Sequence, residues 1–197
     1  MKLYIIRHGE TDYNKNEIIQ GRSDFELSTA GINQAIEAGR YLKELNYHFT
    51  KAYSSPLSRA YNTLKYILDE MHLNLEIKVE KDLIERDFGE LEGMKLTKEV
   101  RMLVVGDNAK GFEKLEVLTN RVKNELLKIV SESKEDDEII IVTHSHVIKP
   151  ILMMLDKKNY NLNSRLYNLG MVTLEYKNGC FKIIEANRGL ANGQSFN

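Results

Sequence analysis

Chemistry in this chain concentrates on two histidines that each follow a short apolar run. Arg7-His8-Gly9-Glu10-Thr11 comes after residues 3–6, and Thr143-His144 after residues 139–142. An imidazole serves as nucleophile, acid or base near neutral pH, but a histidine at a strand end can equally cap that strand. Arg7 tips the balance at His8, because a guanidinium holds fixed donors that match phosphate oxygens. Gly9 permits a tight turn and close approach of backbone to a ligand. A further polar cluster, Ser54-Ser55 leading to Arg59, follows another strand pattern at 51–54.

Such clusters need a scaffold that gathers strand ends. Residues 3–6 and 139–142 are continuous apolar runs, as in strands buried on both faces. Residues 7–27 are polar and read as a loop. Ser28 then suits an N-cap, with Ile32, Ala35, Ile36, Gly39 and Leu42 at helical spacing behind it. Pro56 fits the first turn of a second helix carrying Leu57, Ala60, Leu64, Ile67 and Leu68. Residues 75–79 alternate as a strand does. Gly89, Gly93, Gly106 and Gly111 interrupt residues 80–111, where a short helix is expected near 95–104.

Leu115, Leu118, Val122, Leu126 and Ile129 mark a long amphipathic helix over about 112–133. An acidic turn at 135–138 precedes the strand at 139–142. Residues 147–155 are helical in pattern, which requires Pro150 in the first turn. Residues 171–176 and 181–185 form a hairpin across Asn178-Gly179, and 188–197 are expected as a loose tail. Strands alternating with helices imply an α/β domain with a largely parallel sheet. In open α/β sheets ligands bind beyond the carboxyl ends of strands, which is where all three clusters lie.

A length of 197 residues suits a single domain spanning 1–197. The 42% apolar residues can build a core, and 28 basic against 29 acidic residues give a formal charge of −1. That balance argues against nucleic acid or a membrane surface as partner, while leaving room for a small anion. Cys180 is the single cysteine, so no intrachain disulfide forms and a reducing compartment is expected. The first apolar run ends at Arg7, too short for a signal-peptide core, and no stretch approaches the ~20 apolar residues of a membrane helix. A cytoplasmic location is the expectation.

In order along the chain, these motifs resemble the histidine phosphatase superfamily, the phosphoglycerate mutase-like proteins. Arg7-His8-Gly9-Glu10-Thr11 resembles its signature, Asn14 and Gln20-Gly21 its phosphate- and substrate-loop positions, and Leu27-Ser28-Thr29-Ala30-Gly31 its next helix start. Ser54-Ser55-Pro56-Leu57-Ser58-Arg59-Ala60 is similar to the second motif. Residues 83–89 resemble the segment bearing the acid/base glutamate, here Glu85, and Thr143-His144 matches the second histidine. The resemblance implies a three-layer α/β/α domain and a phosphatase that needs neither cofactor nor metal. His8 would carry the phosphoryl group, while Arg7, Arg59 and His144 surround its oxygens with Asn14 as a further donor. Glu85 would protonate the leaving group and then activate water. The implied substrate contacts are Arg7, Asn14, Gln20, Gly21, Arg59, Glu85, His144 and Ser145.

This sequence departs from the family pattern at Ser145 and His146, since glycine usually follows the second histidine. Either residue could narrow the pocket or touch substrate. His144-Ser145-His146 has a spacing seen in metal sites, but no cysteine or acidic set supports it. His48 and His72 are expected at helix ends, and Cys180 as structural. Lys95, Lys98, Arg101, Lys110 and Lys114 make residues 95–114 basic: a solvated face, or contacts to a second anionic group on the substrate.

Three functions remain. A phosphatase acting on a small phosphorylated metabolite, as monomer or homodimer, fits the compact chain. Mutases of the family are longer and carry a basic segment between the glutamate and the second histidine. A phosphate-ester-binding module without turnover would lack a core residue, and none is missing.

Overall fold

The computed structural model describes residues 1–191. Its sheet has six strands in the order β3-β2-β4-β1-β5-β6, built on β1 (Lys2–Arg7) at the middle. Here β2 is Lys51–Ser54, β3 is Ile77–Val79, β4 is Glu138–Thr143, β5 is Gly170–Lys177 and β6 is Cys180–Gly189. The first four strands of that order are parallel, and β5 and β6 extend the sheet as an antiparallel hairpin. Asn178 and Gly179 both adopt positive φ at its turn, as a two-residue hairpin loop demands.

Register does the main work of positioning. Leu3 pairs with Ile139 and Arg7 with Thr143, so the next residues, His8 and His144, leave the sheet side by side. The His8 N–H donates to the Thr143 carbonyl at 2.9 Å, carrying the ladder one step past the strand.

Alternation along the central strands feeds both faces, which is why their sequences are apolar throughout. Leu3, Ile5, Ile139, Ile141, Val172 and Leu174 pack beneath α5 (Leu115–Ser131) and α6 (Ser145–Leu155). Tyr4, Ile6, Ala52, Ile140, Val142 and Met171 pack beneath α2 (Thr29–Glu44) and α3 (Ser58–Met71). The result is the expected three-layer α/β/α arrangement. Each buried Leu or Ile contributes roughly 1.5–3 kcal/mol, so a charged side chain in either strand would undo the register that aligns the histidines. A satellite core of Ile19, Phe88, Leu91, Val100, Val104 and Phe112 fastens α4 (Lys98–Gly106) and residues 85–112 to the loop near residue 19.

Several boundaries differ from the sequence expectation. The presumed loop at 7–27 contains a one-turn helix, α1 (Asp12–Lys15), closed by a capping box between Thr11 and Asn14. Helix α4 begins at Lys98, where the Thr97 side chain accepts from Val100 N–H. Helix α5 starts at Leu115 because Phe112 is engaged in a bridge with Phe88. Pro150 is the correction of most consequence. It lies inside α6, past the first turn, and supplies no N–H to the His146 carbonyl.

Strand β6 continues to Gly189, and Leu190 is buried, so no tail begins at 188. Arg188 donates to the Tyr41 hydroxyl at 2.6 Å. Residues 192–197 of that expected tail lie outside the described residues. Cys180 is exposed rather than buried in a structural role. His72 caps the end of α3 in a left-handed conformation, as a helix-end residue, whereas His48 lies beyond the end of α2. Among the described residues no helix is long and apolar enough to cross a membrane.

Candidate active site

His8 is 3% exposed and its ring is already oriented. Nδ1 lies 2.7 Å from the Gly9 carbonyl. A carbonyl only accepts, so Nδ1 bears the proton and Nε2 the lone pair. Burial first, then the Arg59 and Arg7 charges, hold His8 well below the ordinary histidine pKa. The imidazole is therefore neutral and nucleophilic at physiological pH.

The loop around it is fixed by small residues and polar ties. Gly9 has no Cβ because one would lie 2.7 Å from the Gly31 carbonyl oxygen at the start of α2. It therefore packs closely against a helix start. Gly9 N–H donates to Thr63 Oγ1 at 2.9 Å, and that hydroxyl donates to the Arg59 carbonyl at 2.7 Å. Asn168 Nδ2 donates to the His8 carbonyl at 3.0 Å and reaches Asn14 Oδ1 at 3.3 Å.

Two guanidinium groups flank His8. Arg7 Nη1 donates to the Leu166 carbonyl at 2.7 Å. Arg59, 1% exposed, donates through Nη1 to the Ser23 carbonyl and through Nη2 to the Gly21 carbonyl, both at 2.8 Å. The Nε atoms of both are buried without a hydrogen-bond partner among the described residues. Burial lowers both arginine pKa values, Arg7 to about 10, which leaves each cationic at neutral pH. Buried cations bonded to carbonyls rather than carboxylates keep their charge for a ligand.

His144 lies against His8 with ring centroids 5.1 Å apart. Ser55 Oγ accepts from Leu57 N–H and meets His144 Nε2 at 2.7 Å. The hydroxyl oxygen has a second lone pair, so it can give its proton to Nε2 or accept one from it, and Nδ1 is buried without a partner among the described residues. Burial, then Arg59 and His8, hold His144 well below the ordinary value too.

Glu85 completes the group at 7% exposure. Thr143 Oγ1 ties its segment to β4 through the Leu83 carbonyl at 2.7 Å. The backbone N–H groups of Arg86, at 2.9 Å, and of His146 donate to the Glu85 carboxylate. Burial nonetheless raises the Glu85 pKa, against those donors and the Arg59 and Arg7 charges. A surface ion pair with Arg86 or Arg22 is not what it forms: the Arg22 guanidinium meets the Glu85 backbone carbonyl and the carboxylates of Asp87 and Glu113. A carboxyl biased toward protonation beside a neutral nucleophile and two cations is equipped for phosphoryl or acyl transfer.

The remaining sequence candidates sit around this centre. Gln20 Oε1 accepts from Thr11 Oγ1 at 3.0 Å, and Asn14 Oδ1 accepts from Thr11 N–H at 3.3 Å. Gly21 adopts φ +54, and its carbonyl holds Arg59. Ser145 opens α6. Sequence reasoning missed Ser55 as a ring partner, and also Thr63 and Asn168. The serine stood inside a quoted motif, but nothing local marked the other two, which act across long sequence separations. Among the described residues, no three His, Cys, Asp or Glu side chains are grouped to hold a metal.

The model of the histidine phosphatase superfamily (branch 1) matches residues 3–189. An uncharacterized phosphatase, PhoE of Bacillus subtilis (strain 168), is 34% identical over 185 residues, 93% of this chain and 92% of its own. The 2,3-bisphosphoglycerate-dependent phosphoglycerate mutase of Borrelia garinii is 45% identical over 94 residues, 47% of this chain and 38% of its own. The crystal structure of phosphoglycerate mutase from Bacillus anthracis str. Sterne superposes with a TM-score of 0.84 at 28% identity, covering 94% of this chain and 92% of that one.

Proposed function

The chain belongs to the histidine phosphatase superfamily, and from that membership we propose that it is a cytoplasmic, metal-independent phosphatase of small phosphorylated metabolites. Its relatives are phosphatases or mutases, and a full-length match to a phosphatase sets the direction. The observation that carries the reading is the His8 ring, with Nδ1 committed to Gly9 and Nε2 left free among cations.

In this reading His8 Nε2 attacks phosphorus while the ester oxygen departs. Glu85, whose pKa burial raises, gives a proton to that oxygen as charge develops there. Arg7, Arg59 and His144 stabilise the nonbridging oxygens, with the Asn14 amide as a further donor. The positive charge of the two arginines takes the part that metal ions play in other phosphoryl transferases. Glu85, now ionised, removes a proton from water, which attacks the phosphohistidine. Inorganic phosphate leaves and His8 returns to its neutral state.

A mutase reading has one observation in its favour, the 45% identity to a phosphoglycerate mutase, but that match spans 38% of the mutase. Hydrolysis of an activated aryl phosphate by wild type and His8→Ala, both in excess chelator, separates the possibilities. Activity that survives chelation and is lost by at least ~10⁴-fold in the variant is the expected outcome. Activity lost on chelation contradicts the metal-independent mechanism. No hydrolysis, with transfer between phosphoglycerate positions, establishes the mutase instead.

A further inference from the structure

Asn168 lies on the segment between α6 and β5 and reaches back to the end of β1, 160 residues away. Its Nδ2 donates to the His8 carbonyl at 3.0 Å. A carbonyl only accepts, so this contact fixes which end of the Asn168 amide is the donor. The same Nδ2 also meets Asn14 Oδ1 at 3.3 Å. That oxygen accepts in addition from Thr11 N–H at 3.3 Å, the contact that closes the α1 capping box. A backbone N–H only donates, so the orientation of the Asn14 amide is fixed as well.

Two donors thus converge on Asn14 Oδ1, and Asn14 Nδ2 faces away from both of them. No hydrogen bond among the described residues engages that nitrogen, so its protons are left for a ligand. Donors placed on an amide oxygen also polarise the amide and strengthen what its N–H groups can donate.

The backbone beneath Asn168 is held from two sides. Leu169 N–H donates to the Arg7 carbonyl at 3.0 Å, and the Leu169 carbonyl accepts from Leu190 N–H at 3.2 Å. On the other side Asn187 Oδ1 accepts from Tyr167 N–H at 3.2 Å, and Asn187 Nδ2 donates to the Arg165 carbonyl at 3.0 Å. Leu169 is buried in a left-handed conformation, φ +55, which is unfavourable for leucine. Such strain persists only where the surroundings over-determine it, as these bonds do here.

We propose that Asn168 is a positioning residue of the phosphate site: it holds Asn14 Oδ1 so that Asn14 Nδ2 donates to a nonbridging oxygen. The role rests on the phosphatase reading, which seats the phosphoryl group between Arg7 and Arg59. Asn168 itself does not touch the phosphoryl group and acts through Asn14.

The test is a double-variant cycle with inorganic phosphate as the probe. Phosphate is titrated calorimetrically into wild type, Asn14→Ala, Asn168→Leu and the double variant. Leucine keeps much of the volume of asparagine and removes the donor. Each single variant should weaken phosphate binding by about five- to tenfold, the effect of one hydrogen bond to an anion. The double variant should stay within about twofold of Asn14→Ala, because Asn168 then has nothing left to orient. A loss beyond that, or an Asn168→Leu affinity within twofold of wild type, would overturn the proposal.

A role in folding alone would leave a second readout unmoved. The Asn14 side-chain NH2 resonances of nitrogen-15-labelled protein are assigned by their loss in Asn14→Ala. Saturating phosphate should shift them in wild type and by less than half as much in Asn168→Leu. No shift in wild type, or an equal shift in both, would overturn the proposal. If Asn168→Leu does not fold, Asn168→Ala takes its place with the same limits. Wild-type hydrolysis of an aryl phosphate with uncoupled variants would sink this inference alone. No hydrolysis, with phosphate binding coupled through Asn14 and Asn168, would sink the phosphatase reading alone.

Discussion

Two clusters of charge adjoin in this molecule and are built on opposite plans. In one, Arg86, Arg121 and Arg22 each meet carboxylates. Arg86 is paired with Asp107 and lies over the Phe112 ring, 3.9 Å from its centroid. Arg121 grips Glu113 through two bonds of 2.6 and 2.9 Å, and Arg22 reaches Asp87 and Glu113. In the other, Arg7, Arg59 and Lys149 bond to carbonyls around two neutral histidines, and Glu85 is the carboxylate their charges act on. Glu85 and Arg86 are neighbours in sequence yet belong to different clusters. Charge balanced within the fold fastens residues 80–121. Charge left unbalanced is a binding site for an anion.

Glu85→Gln should give the largest contrast within the second cluster. It should lower kcat/KM, which reports the steps up to alcohol release, by about 10²–10³-fold for alkyl phosphates and by less than about tenfold for an activated aryl phosphate, because only the poor leaving group needs the proton. Wild-type rates on alkyl esters should fall as pH rises through the raised Glu85 pKa, since the protonated form is the acid. The glutamine variant should lose that limb of the profile. Equal slowing of both ester types would remove Glu85 from its role.

Arg86→Met should do the reverse. Removing it leaves Asp107, which is 29% exposed on its side chain, without its partner. We expect about 2–3 kcal/mol lower stability by denaturant titration, with kcat on the aryl ester within about tenfold of wild type. A stable but inactive variant would show that the two clusters are not separable.

Inorganic phosphate provides the smallest and most direct readout. At about 100 times its Kd it should stabilise wild type by about 2.7 kcal/mol, a Tm rise of roughly 5–10 °C. Arg86→Met should show the same increment, and Arg59→Ala little or none. A rise that is unchanged in Arg59→Ala would place the anion elsewhere.

How much of this was readable from sequence follows the range of each interaction. His8 and His144 could be found because each ends a fully apolar run, and the parallel pairing of those runs makes them neighbours. Arg59 was marked by its place after a strand as well as by motif resemblance, and Glu85 by resemblance alone, since it has no periodic signal. Asn168 and Thr63 could not be found: their bonds to the His8 carbonyl and the Gly9 N–H span 160 and 54 residues. Lys149 was hidden by helical pattern, its type being ordinary for a helix face. Pro150 misled for a local reason. Placing it in the first turn moved the expected start of α6 past Ser145 and His146, so the backbone role of His146 at Glu85 was not visible. The Thr11-Asn14 capping box that forms α1 was legible in principle but lay in a stretch dominated by loop residues.

The central claim is a covalent one, that His8 Nε2 carries the phosphoryl group. Rapid quench of wild type with an aryl phosphate into alkali, which preserves phosphohistidine, followed by peptide mass spectrometry, tests it directly. The account predicts one phosphoryl group on the peptide containing His8, localised to that residue, appearing no later than the aryl alcohol and accumulating in Glu85→Gln as hydrolysis of the intermediate slows. Release of the alcohol with no phosphoryl group on the protein, or with the group on His144 or His146, would contradict it.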